Sequence, residues 1–338
     1  MTIESTAEPT AEQPRPVRPL DLEARRVLML VNRKAGSGRG RAIVEHATEA
    51  LAEHGLSVEQ ISDLGKLHDA TLSAMQAGEL RGVVSAGGDG TICAALNSTP
   101  PGAPLAVLPL GTENLLARYF SHRRSPKSVA DLLTKGVIVP MDAGQAGDQL
   151  FTTVVSAGLD AEVVRELHEN RRGNISHLAY VAPLLRTIAK YRYPKVRVTS
   201  VDTTGEAFSA TGRWSFLLNL PRYALNLPIA PNAVGTDGLL DACVLERGSL
   251  GTGLWYVLQM LRRRHHMLDS VHTARRSKFR IESADGEPIP YQIDGDPGGM
   301  LPVEVTSLPG RMSLVASLEV AQRLGFETGA EKTGGERD

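Results

Sequence analysis

At 338 residues, 42% of them hydrophobic, the chain is long enough to bury the cores of two domains. A formal net charge of −1 gives no broad electrostatic attraction to nucleic acid, so no nucleic-acid partner is expected. The two cysteines, Cys93 and Cys243, lie far apart in apolar settings, which argues against a disulfide framework or a zinc site and favours a reducing, cytoplasmic location.

The two ends of the chain differ in composition from the rest. Residues 1–24 are polar and proline-rich and lack the apolar stretch of a signal peptide, so we expect a disordered arm. Residues 326–338 are expected to form an equally disordered tail. No apolar run between them approaches the roughly 20 residues that a membrane-spanning helix needs.

The first half of the chain repeats a strand, a glycine-bearing turn and a helix. Three apolar runs, Val27–Val31, RGVVSA and PLAVLPL, are typical of strands buried on both faces, and they end in NRKAGSG, GGDGT and GTEN. Apolar residues at helical spacing follow in RAIVEHATEALAEHG and ICAALN, and the pair SVEQIS and DATLSAMQAGEL adds a short strand and a helix. Residues 25–140 are therefore predicted to form a three-layer α/β domain with a parallel sheet.

The three glycine-bearing turns should meet at one edge of that sheet, where ligands of such folds bind. Glycines let the backbone approach a ligand, and helix N-termini offer free N–H groups to phosphate. Asp89 in GGDGT would repel a phosphate unless a cation lay between them, which indicates a magnesium-bridged nucleotide. Ordinary tight turns, with Asp89 as a helix cap, are the alternative. Neither the Rossmann fingerprint nor the Walker lysine motif occurs.

After Val139 the pattern changes to short β-branched segments separated by Gly, Pro, Asn or Asp, such as QLFTTVVSAG, RWSFLLNL, LLDACVLE and PVEVTSL. This pattern predicts an antiparallel β-sandwich over residues 141–325, whose last segment can return to the first domain. Two helices are expected within it, near Ile175–Tyr191 and Leu250–His266.

An ordered set of motifs resembles the diacylglycerol kinase catalytic family, which includes soluble bacterial lipid kinases and sphingosine and ceramide kinases. The set is VNRKAGSG, GGDGT, LPLGTEN, MDAGQ, SAGLDAEVV, APNAVGTDGLLDACVL and YQIDGDPGGMLPVEV, between about Arg26 and Ala316. GGDGT alone is less specific, because NAD kinases and phosphofructokinase relatives have similar loops. The resemblance implies ATP-dependent phosphorylation of a lipid hydroxyl in a cleft between an α/β domain of the NAD kinase and phosphofructokinase type and a β-sandwich.

The resemblance also implies which residues bind ATP and its magnesium ion. Asp89 would lie near the catalytic Mg²⁺, and Asp142 in MDAG would orient the metal or the substrate, unless it is only a strand-start cap. Gly158 and Asp160 would be scaffold residues near the cleft. The nucleotide-binding positions that match are Asn32, Gly88, Asp89, Gly90, Thr91, Gly111, Thr112 and Asn114.

The family's general base is a glutamate in an Asp-Gly-Glu triplet on a late strand. Asp285-Gly286-Glu287 has these letters but comes early, whereas Asp294-Gly295-Asp296 precedes PGGMLPVEV as the family's triplet precedes its closing strands. We therefore predict Asp296 as the base and Glu287 as a turn residue. An aspartate can accept a proton from a hydroxyl as a glutamate can, but its shorter side chain requires a closer substrate.

A second magnesium ion is implied by the segment Asp237-Gly238-Leu239-Leu240, which in bacterial relatives binds a structural ion between the domains. The Asp237 carboxylate and the carbonyls of Val234 and Leu239 would be its ligands, a hard-oxygen set that suits Mg²⁺. A simple Asp-Gly turn is the alternative.

Other features bear on substrate and partners. Leu115 stands where the family often has an acidic residue, and NLPRYALNLP is expected to line the lipid side of the cleft. RRRHH (262–266) follows the apolar LWYVLQML and could contact anionic headgroups at the inner membrane surface, or be the solvated end of an amphipathic helix. The sequence leaves open whether the protein forms a homodimer. An NAD kinase-like enzyme and a nucleotide-binding regulator without catalysis are the alternatives to the lipid kinase.

Overall fold

The computed structural model describes residues 16–31, 38–169, 191–202 and 207–327. They form an α/β domain followed by a β-sandwich, as the sequence predicts. Asn32 and most of the helix expected near Ile175–Tyr191 lie outside the described residues.

The first domain alternates strands and helices along the chain. Four of its strands are parallel neighbours that include the three apolar runs found in the sequence, and each of the four is followed by a helix. The strands are β1 (Arg18–Pro19), β2 (Arg26–Val31), β3 (Ser57–Ile61), β4 (Leu80–Gly87) and β5 (Pro104–Pro109), and the helices are α1 (Gly38–Glu53), α2 (Leu64–Gln76), α3 (Asp89–Ser98), α4 (Leu115–Tyr119) and α5 (Pro126–Lys135).

The second domain is built mainly of strands. Its strands are β6 (Val137–Ala146), β7 (Gln149–Phe151), β8 (Val154–Gly158), β9 (Val196–Ser200), β10 (Ser209–Gly212), β11 (Trp214–Leu218), β12 (Leu240–Leu245), β13 (Val271–Arg276), β14 (Lys278–Ser283), β15 (Pro290–Ile293), β16 (Asp296–Met300) and β17 (Val303–Ala316). Its helices are α6 (Leu159–Glu169), α7 (Leu250–Leu261), which confirms the second predicted helix, and α8 (Leu318–Arg323).

Two sheets contain these strands, and one of them is shared by both domains. The larger sheet has the order β10-β9-β14-β17-β5-β4-β2-β3, with β6 antiparallel to β17. The smaller, antiparallel sheet has the order β13-β12-β11-β8-β15-β16. Because the end of β17 pairs in parallel with β5, the chain returns to the first domain. The boundary predicted near Pro140 therefore lies inside β6, a strand that spans both domains.

Apolar layers fill the spaces between these elements. Buried side chains on the two faces of the first-domain sheet pack against its helices. A third layer lies between the two sheets of the sandwich, with Phe151 and Phe279 fully buried. A fourth layer covers the outer face of the smaller sheet and includes Tyr256 of α7 and Leu115 of α4. This fourth layer therefore connects the second domain to the segment that follows GTEN.

More of each chain end is folded than the sequence pattern predicts. Arg18 and Pro19 pair with β6, and Pro16 bridges to Glu327, so residues 16–24 and 326–327 belong to the folded part. The reason is tertiary: the buried Leu20 gives this polar stretch an apolar anchor, and buried Arg81 donates a 3.0 Å hydrogen bond to the carbonyl of Ala24. None of the described helices has the length and apolar character to cross a bilayer.

Candidate active site in the cleft between the domains

The two predicted phosphate loops contact each other at glycines. The GGDGT loop connects β4 to α3, and the GTEN loop follows β5, so both lie at the carboxyl ends of neighbouring parallel strands. A Cβ atom on Gly111 would lie only 2.6 Å from the Cα atom of Gly88 and 2.9 Å from Oδ1 of Asn114. The contact therefore requires glycine at position 111, because any side chain there would meet backbone rather than a movable side chain.

Gly111→Ala should separate the two loops and weaken ATP binding by at least tenfold, about 1.4 kcal/mol. The added Cβ atom has to displace the backbone of Gly88. Gly251→Ala is the matched control, since a Cβ atom at Gly251 meets nothing within 4 Å. Titration calorimetry with Mg·ATP measures the effect, and equal affinities for the two variants would contradict the packing role.

Asn114 holds the second loop in shape. Its backbone adopts the left-handed conformation (φ 51°), which asparagine tolerates better than most residues. Its side chain folds back, accepting a hydrogen bond from the N–H of Gly111 (3.0 Å) and donating one to the carbonyl of Gly111 (2.8 Å). Arg124, which the sequence analysis missed, donates to the carbonyls of Gly111 and Pro109, each at 2.9 Å.

Asp89 connects the first loop to the second. Its carboxylate accepts backbone hydrogen bonds from Leu115, Leu116 and Asn114, at the start of α4. Burial raises the pKa of the Asp89 carboxyl above its usual range and the charge of Asp294 adds to this effect, while the three backbone donors oppose it. Asp89 therefore lies where both loops converge, in contact with N–H groups as well as close to a second carboxylate.

The other predicted nucleotide-loop residues have different surroundings. Thr91 is buried, and its side chain lies over Gly87, where a Cβ atom would be 2.0 Å from the Thr91 hydroxyl oxygen. This position makes Thr91 a support of the turn. Gly90 and Thr112 are exposed, and Gly88 is half-buried. The exposed parts of the two loops are therefore Gly90 and Thr112, whereas the Thr91 hydroxyl is enclosed.

The Asp294-Gly295-Asp296 triplet is a tight turn anchored by its first residue. The Asp294 carboxylate accepts hydrogen bonds from the N–H and hydroxyl of Thr152 (2.7 and 2.9 Å) and from the N–H groups of Thr153 and Val154 (both 2.9 Å). Asp294 and Gly295 both have positive φ angles, 49° and 90°. These bonds and backbone angles fix the direction of the chain at Asp296, the last residue of the triplet.

Asp296 begins β16 and faces the first phosphate loop. Its Oδ2 atom is 4.0 Å from the position that a Cβ atom on Gly90 would take. The competing residue Glu287 is exposed in the connection between β14 and β15. The structure thus brings together Asp296 and the GGDGT loop, the pair on which the sequence prediction depends.

A cavity of about 650 Å³ opens beside Asp296 and is lined by both domains. Asn97 of α3 holds the domains together there, because its Oδ1 accepts from the N–H of Leu150 and its Nδ2 donates to the carbonyl of Leu150, both at 2.9 Å. The sequence analysis missed Asn97, which only tertiary pairing with β7 reveals. The lining includes Gly90, Cys93 and Asn97 from the first domain and Gln149, Tyr291 and Asp296 from the second.

A buried polar cluster supports the Asp296 turn from below. Gln292 accepts a hydrogen bond from the N–H of Gly295 (2.6 Å) and donates to the hydroxyl of Ser156 (2.7 Å). Ser156 donates in turn to Asp160 (2.5 Å), which also bonds to the side chain of Tyr223. Burial raises the pKa of the Asp160 carboxyl above its usual range, although its hydrogen bonds to Ser156, Tyr223 and Gln292 lower it. Asp160 is a scaffold residue, linking the NLPRYALNLP segment to the triplet.

Asp142 has a positioning role in this structure and lies in mid-strand rather than at a strand start. The residue is fully buried in β6, and its two carboxylate oxygens accept the N–H groups of Gly238 (2.6 Å) and Gly310 (2.8 Å). These bonds tie the Asp-Gly-Leu-Leu segment and the bend of β17 to β6. Asp142 is therefore given no role in orienting metal or substrate in the mechanism proposed below.

The described residues do not fit the structural magnesium predicted at Val234, Asp237 and Leu239. One oxygen of Asp237 pairs with the guanidinium of Arg275, and the other accepts the N–H of Leu239 (2.9 Å). The carbonyl of Val234 accepts from the N–H of Thr236 at 2.7 Å. Arg275 already supplies the positive charge that a metal would bring and would repel a second cation. Among the described residues, no group of three or more His, Cys, Asp or Glu side chains could hold a metal.

Millimolar magnesium without ATP should consequently leave the melting temperature of the protein unchanged. A structural ion at one hundred times its dissociation constant would add about 2.7 kcal/mol of stability, several degrees for a domain of this size. Thermal unfolding with and without Mg²⁺, in the wild type and in Asp237→Asn, measures this. A rise that occurs in the wild type and is lost in Asp237→Asn would restore the metal site.

Comparison with known proteins assigns both domains. The diacylglycerol kinase catalytic domain profile matches residues 26–146, and that of the YegS C-terminal NAD kinase beta sandwich-like domain matches residues 153–316. Solved structures agree on the fold: a putative diacylglycerol kinase from Bacillus anthracis has a TM-score of 0.66 at 20% identity, over 93% of this chain and 100% of that one.

Curated relatives are similar over most of their length. The chain is 30% identical to a probable lipid kinase YegS-like of Pseudomonas putida over 62% of this chain and 74% of the relative. It is 28% identical to the diacylglycerol kinase of Bacillus subtilis (76% and 85% covered) and to that of Mycobacterium tuberculosis (87% and 96% covered). With the two domain matches, these similarities show that the chain belongs to the family of diacylglycerol kinases and YegS-like lipid kinases.

Proposed function

We propose that the protein transfers the γ-phosphate of ATP to the hydroxyl of a lipid alcohol, with Asp296 as the general base. The observation that carries the proposal is the position of Asp296, whose carboxylate faces Gly90 of the phosphate loop across an open cleft. A base must lie within reach of both the acceptor hydroxyl and the phosphate it attacks. Asp296 is exposed, so an acceptor can approach it.

The proposed reaction needs little covalent chemistry from the protein. Asp296 accepts the proton of the lipid hydroxyl, the hydroxyl oxygen attacks the γ-phosphorus in line, and the bond to the β-phosphate oxygen breaks to release ADP. Backbone N–H groups around Gly88 and Gly90 hold the phosphates, as helix N-termini and glycine loops do, and Gly111 lets the second loop pack closely beside them. Thr112 and Asn114 complete the second loop, and Asn32 stays a predicted nucleotide contact.

Magnesium enters this proposal as part of the substrate, Mg·ATP. Asp89, the residue before Gly90, would supply a hard carboxylate oxygen of the kind that Mg²⁺ prefers. When bound with the nucleotide, the ion would neutralise the negative charge that develops on the phosphates. Asp89 would add its charge on this side of the loop, while its bonds to the start of α4 keep the two loops aligned.

The acceptor is assigned to the lipid class from the second domain. Tyr223, in the NLPRYALNLP segment, is bonded to Asp160, and Asp160 is joined through Gln292 to the residue before Asp296. The same segment exposes 83% of Leu225. An exposed apolar side chain on a segment that is hydrogen-bonded to the support of the Asp296 turn suits an acyl or alkyl chain better than a soluble dinucleotide.

A substrate panel tests the proposal. Purified protein is incubated with γ-labelled ATP and detergent-dispersed diacylglycerol, sphingosine or phosphatidylglycerol, or with NAD. We expect label in one of the lipids and none in NAD. Label in NAD alone would establish the NAD kinase-like alternative, and ATP binding without turnover on any acceptor would establish the non-catalytic regulator.

A further inference from the structure

Helix α7 has one face that the protein itself covers. Tyr256 and Met260 are buried in the fourth apolar layer, on the outer face of the smaller sheet. The Tyr256 hydroxyl donates a 3.0 Å hydrogen bond to the hydroxyl of Ser270, and Ser249 caps the helix by accepting the N–H of Thr252. The inner face of α7 is thus fully engaged with the fold.

The opposite face of α7 is apolar and exposed to solvent. Leucines recur there at intervals of three or four residues, the spacing of one helix face. Scattered apolar residues on a surface are ordinary, whereas a contiguous stripe indicates a partner. We call this set the apolar stripe: Leu250, Leu254, Trp255, Leu258 and Leu261, which are 52%, 64%, 49%, 38% and 60% exposed.

Three arginines follow the apolar stripe directly. Arg262, Arg263 and Arg264 are all exposed, and in the part of the chain that the structure describes no carboxylate lies within ion-pairing distance of them. The next residue, His265, is buried and bonds to the carbonyl of Ile229 (2.7 Å), which holds the arginines at the end of the helix. Because the whole chain has a net charge of only −1, this is a local concentration of positive charge.

We propose that α7 docks on an anionic lipid bilayer, with the apolar stripe in the interface and the three arginines at the level of the lipid phosphates. A helix with an apolar face and a basic end binds in this way, through buried apolar area and attraction to anionic headgroups. Charge complementarity selects the bilayer as the occupant. The inference rests on the surface of α7 alone and does not require the proposed kinase reaction.

The fourth apolar layer relates this surface to the active site. The layer beneath α7 also contains Tyr223 of the NLPRYALNLP segment, Ile229 directly after that segment, and Leu115, which follows Asn114 of the second phosphate loop. A bilayer bound at α7 would therefore contact an element packed on the same layer as the loops of the cleft.

Vesicle binding without ATP tests the inference. We expect the wild type to sediment with vesicles of phosphatidylglycerol and phosphatidylcholine, and much less with phosphatidylcholine alone. Replacing the three arginines by glutamine should lower the partition coefficient by at least about tenfold, from about 1 kcal/mol for each charge near an anionic surface. Leu254→Ser with Leu258→Ser should abolish binding, whereas the control Leu72→Ser, on the 40% exposed Leu72 of α2, should not change it.

Tryptophan fluorescence gives a second readout on correctly folded protein. Trp255 is 49% exposed and Trp214 is half-buried, so vesicles should shift the emission to the blue in the wild type and not in Trp255→Phe. Equal binding to neutral vesicles, or unchanged binding after the arginine or leucine replacements, would overturn the proposal. So would a stable dimer that dissociates on Leu254→Ser and shows no vesicle binding, since a second copy would then cover the stripe.

Discussion

Replacing Asp296 by asparagine should lower kcat by about 10²-fold or more, the usual contribution of a general base. Asparagine keeps the size of the side chain but cannot accept the proton of the acceptor hydroxyl. Since Asp296 begins β16 on the surface of the cleft, the change should leave the fold and the affinity for ATP almost unaltered. The loss should therefore be confined to the phosphoryl-transfer step.

Glu287→Gln is the matched control for Asp296→Asn, because Glu287 ends the competing Asp-Gly-Glu triplet. Its side chain is exposed in a connection between strands, so its rate should stay within about twofold of the wild type. Single-turnover measurements with the lipid identified by the substrate panel compare the two variants. A large loss in Glu287→Gln with normal turnover in Asp296→Asn would show that the earlier triplet contains the base.

Asp294→Ala is expected to lower the free energy of unfolding by about 3 kcal/mol or more, since unsatisfied buried donors cost about 1–3 kcal/mol each. The carboxylate satisfies the N–H groups of Thr152, Thr153 and Val154, and these three residues are at most 2% exposed. Alanine also tolerates the positive φ angle of this position poorly.

The matched control for this prediction is Asp285→Ala. Asp285 also opens an Asp-Gly turn, but it is exposed: it accepts one hydrogen bond from the N–H of the exposed Lys195 (2.9 Å) and weaker ones from its own neighbours. Its removal should cost less than about 1 kcal/mol. Urea unfolding of both variants, followed by circular dichroism, measures the difference. Equal destabilisation would mean that the anchoring of the Asp296 turn is no stronger than that of a surface turn.

The local pattern of the sequence was sufficient for the architecture. Apolar runs followed by glycine turns predicted a parallel sheet, because only strands buried on both faces can be apolar throughout. Local propensity and spacing are enough for such features, since they arise within short segments. The choice of the Asp296 triplet as the base rested on the motif order of the family that the sequence resembles, and it stays a prediction; its position beside Gly90 is seen only in the structure.

Contacts between distant segments could not be predicted in this way. Three of the side chains that the sequence analysis did not single out form hydrogen bonds to residues well separated from them along the chain. The separation is 53 positions for Asn97, 13 for Arg124 and 38 for Arg275. Asp142 appears in the sequence as one more acidic motif residue, and only its enclosure by Gly238 and Gly310 shows that it holds loops. Residues 16–24 looked too polar to fold, because their pairing and hydrogen-bond partners, β6 and Arg81, come from elsewhere in the chain.

The sequence by itself therefore determined the α/β and β-sandwich domains, the glycine loops and the acidic residues around them, because periodicity and turn chemistry are local properties. Only the tertiary structure decided which carboxylates are free to act. Asp296 stays exposed beside Gly90. The carboxylates of Asp294 and Asp142 instead accept hydrogen bonds from backbone N–H groups, and that of Asp237 is paired with Arg275. A carboxylate acts as a base, an anchor or half of an ion pair according to the donors and charges that the fold brings to it.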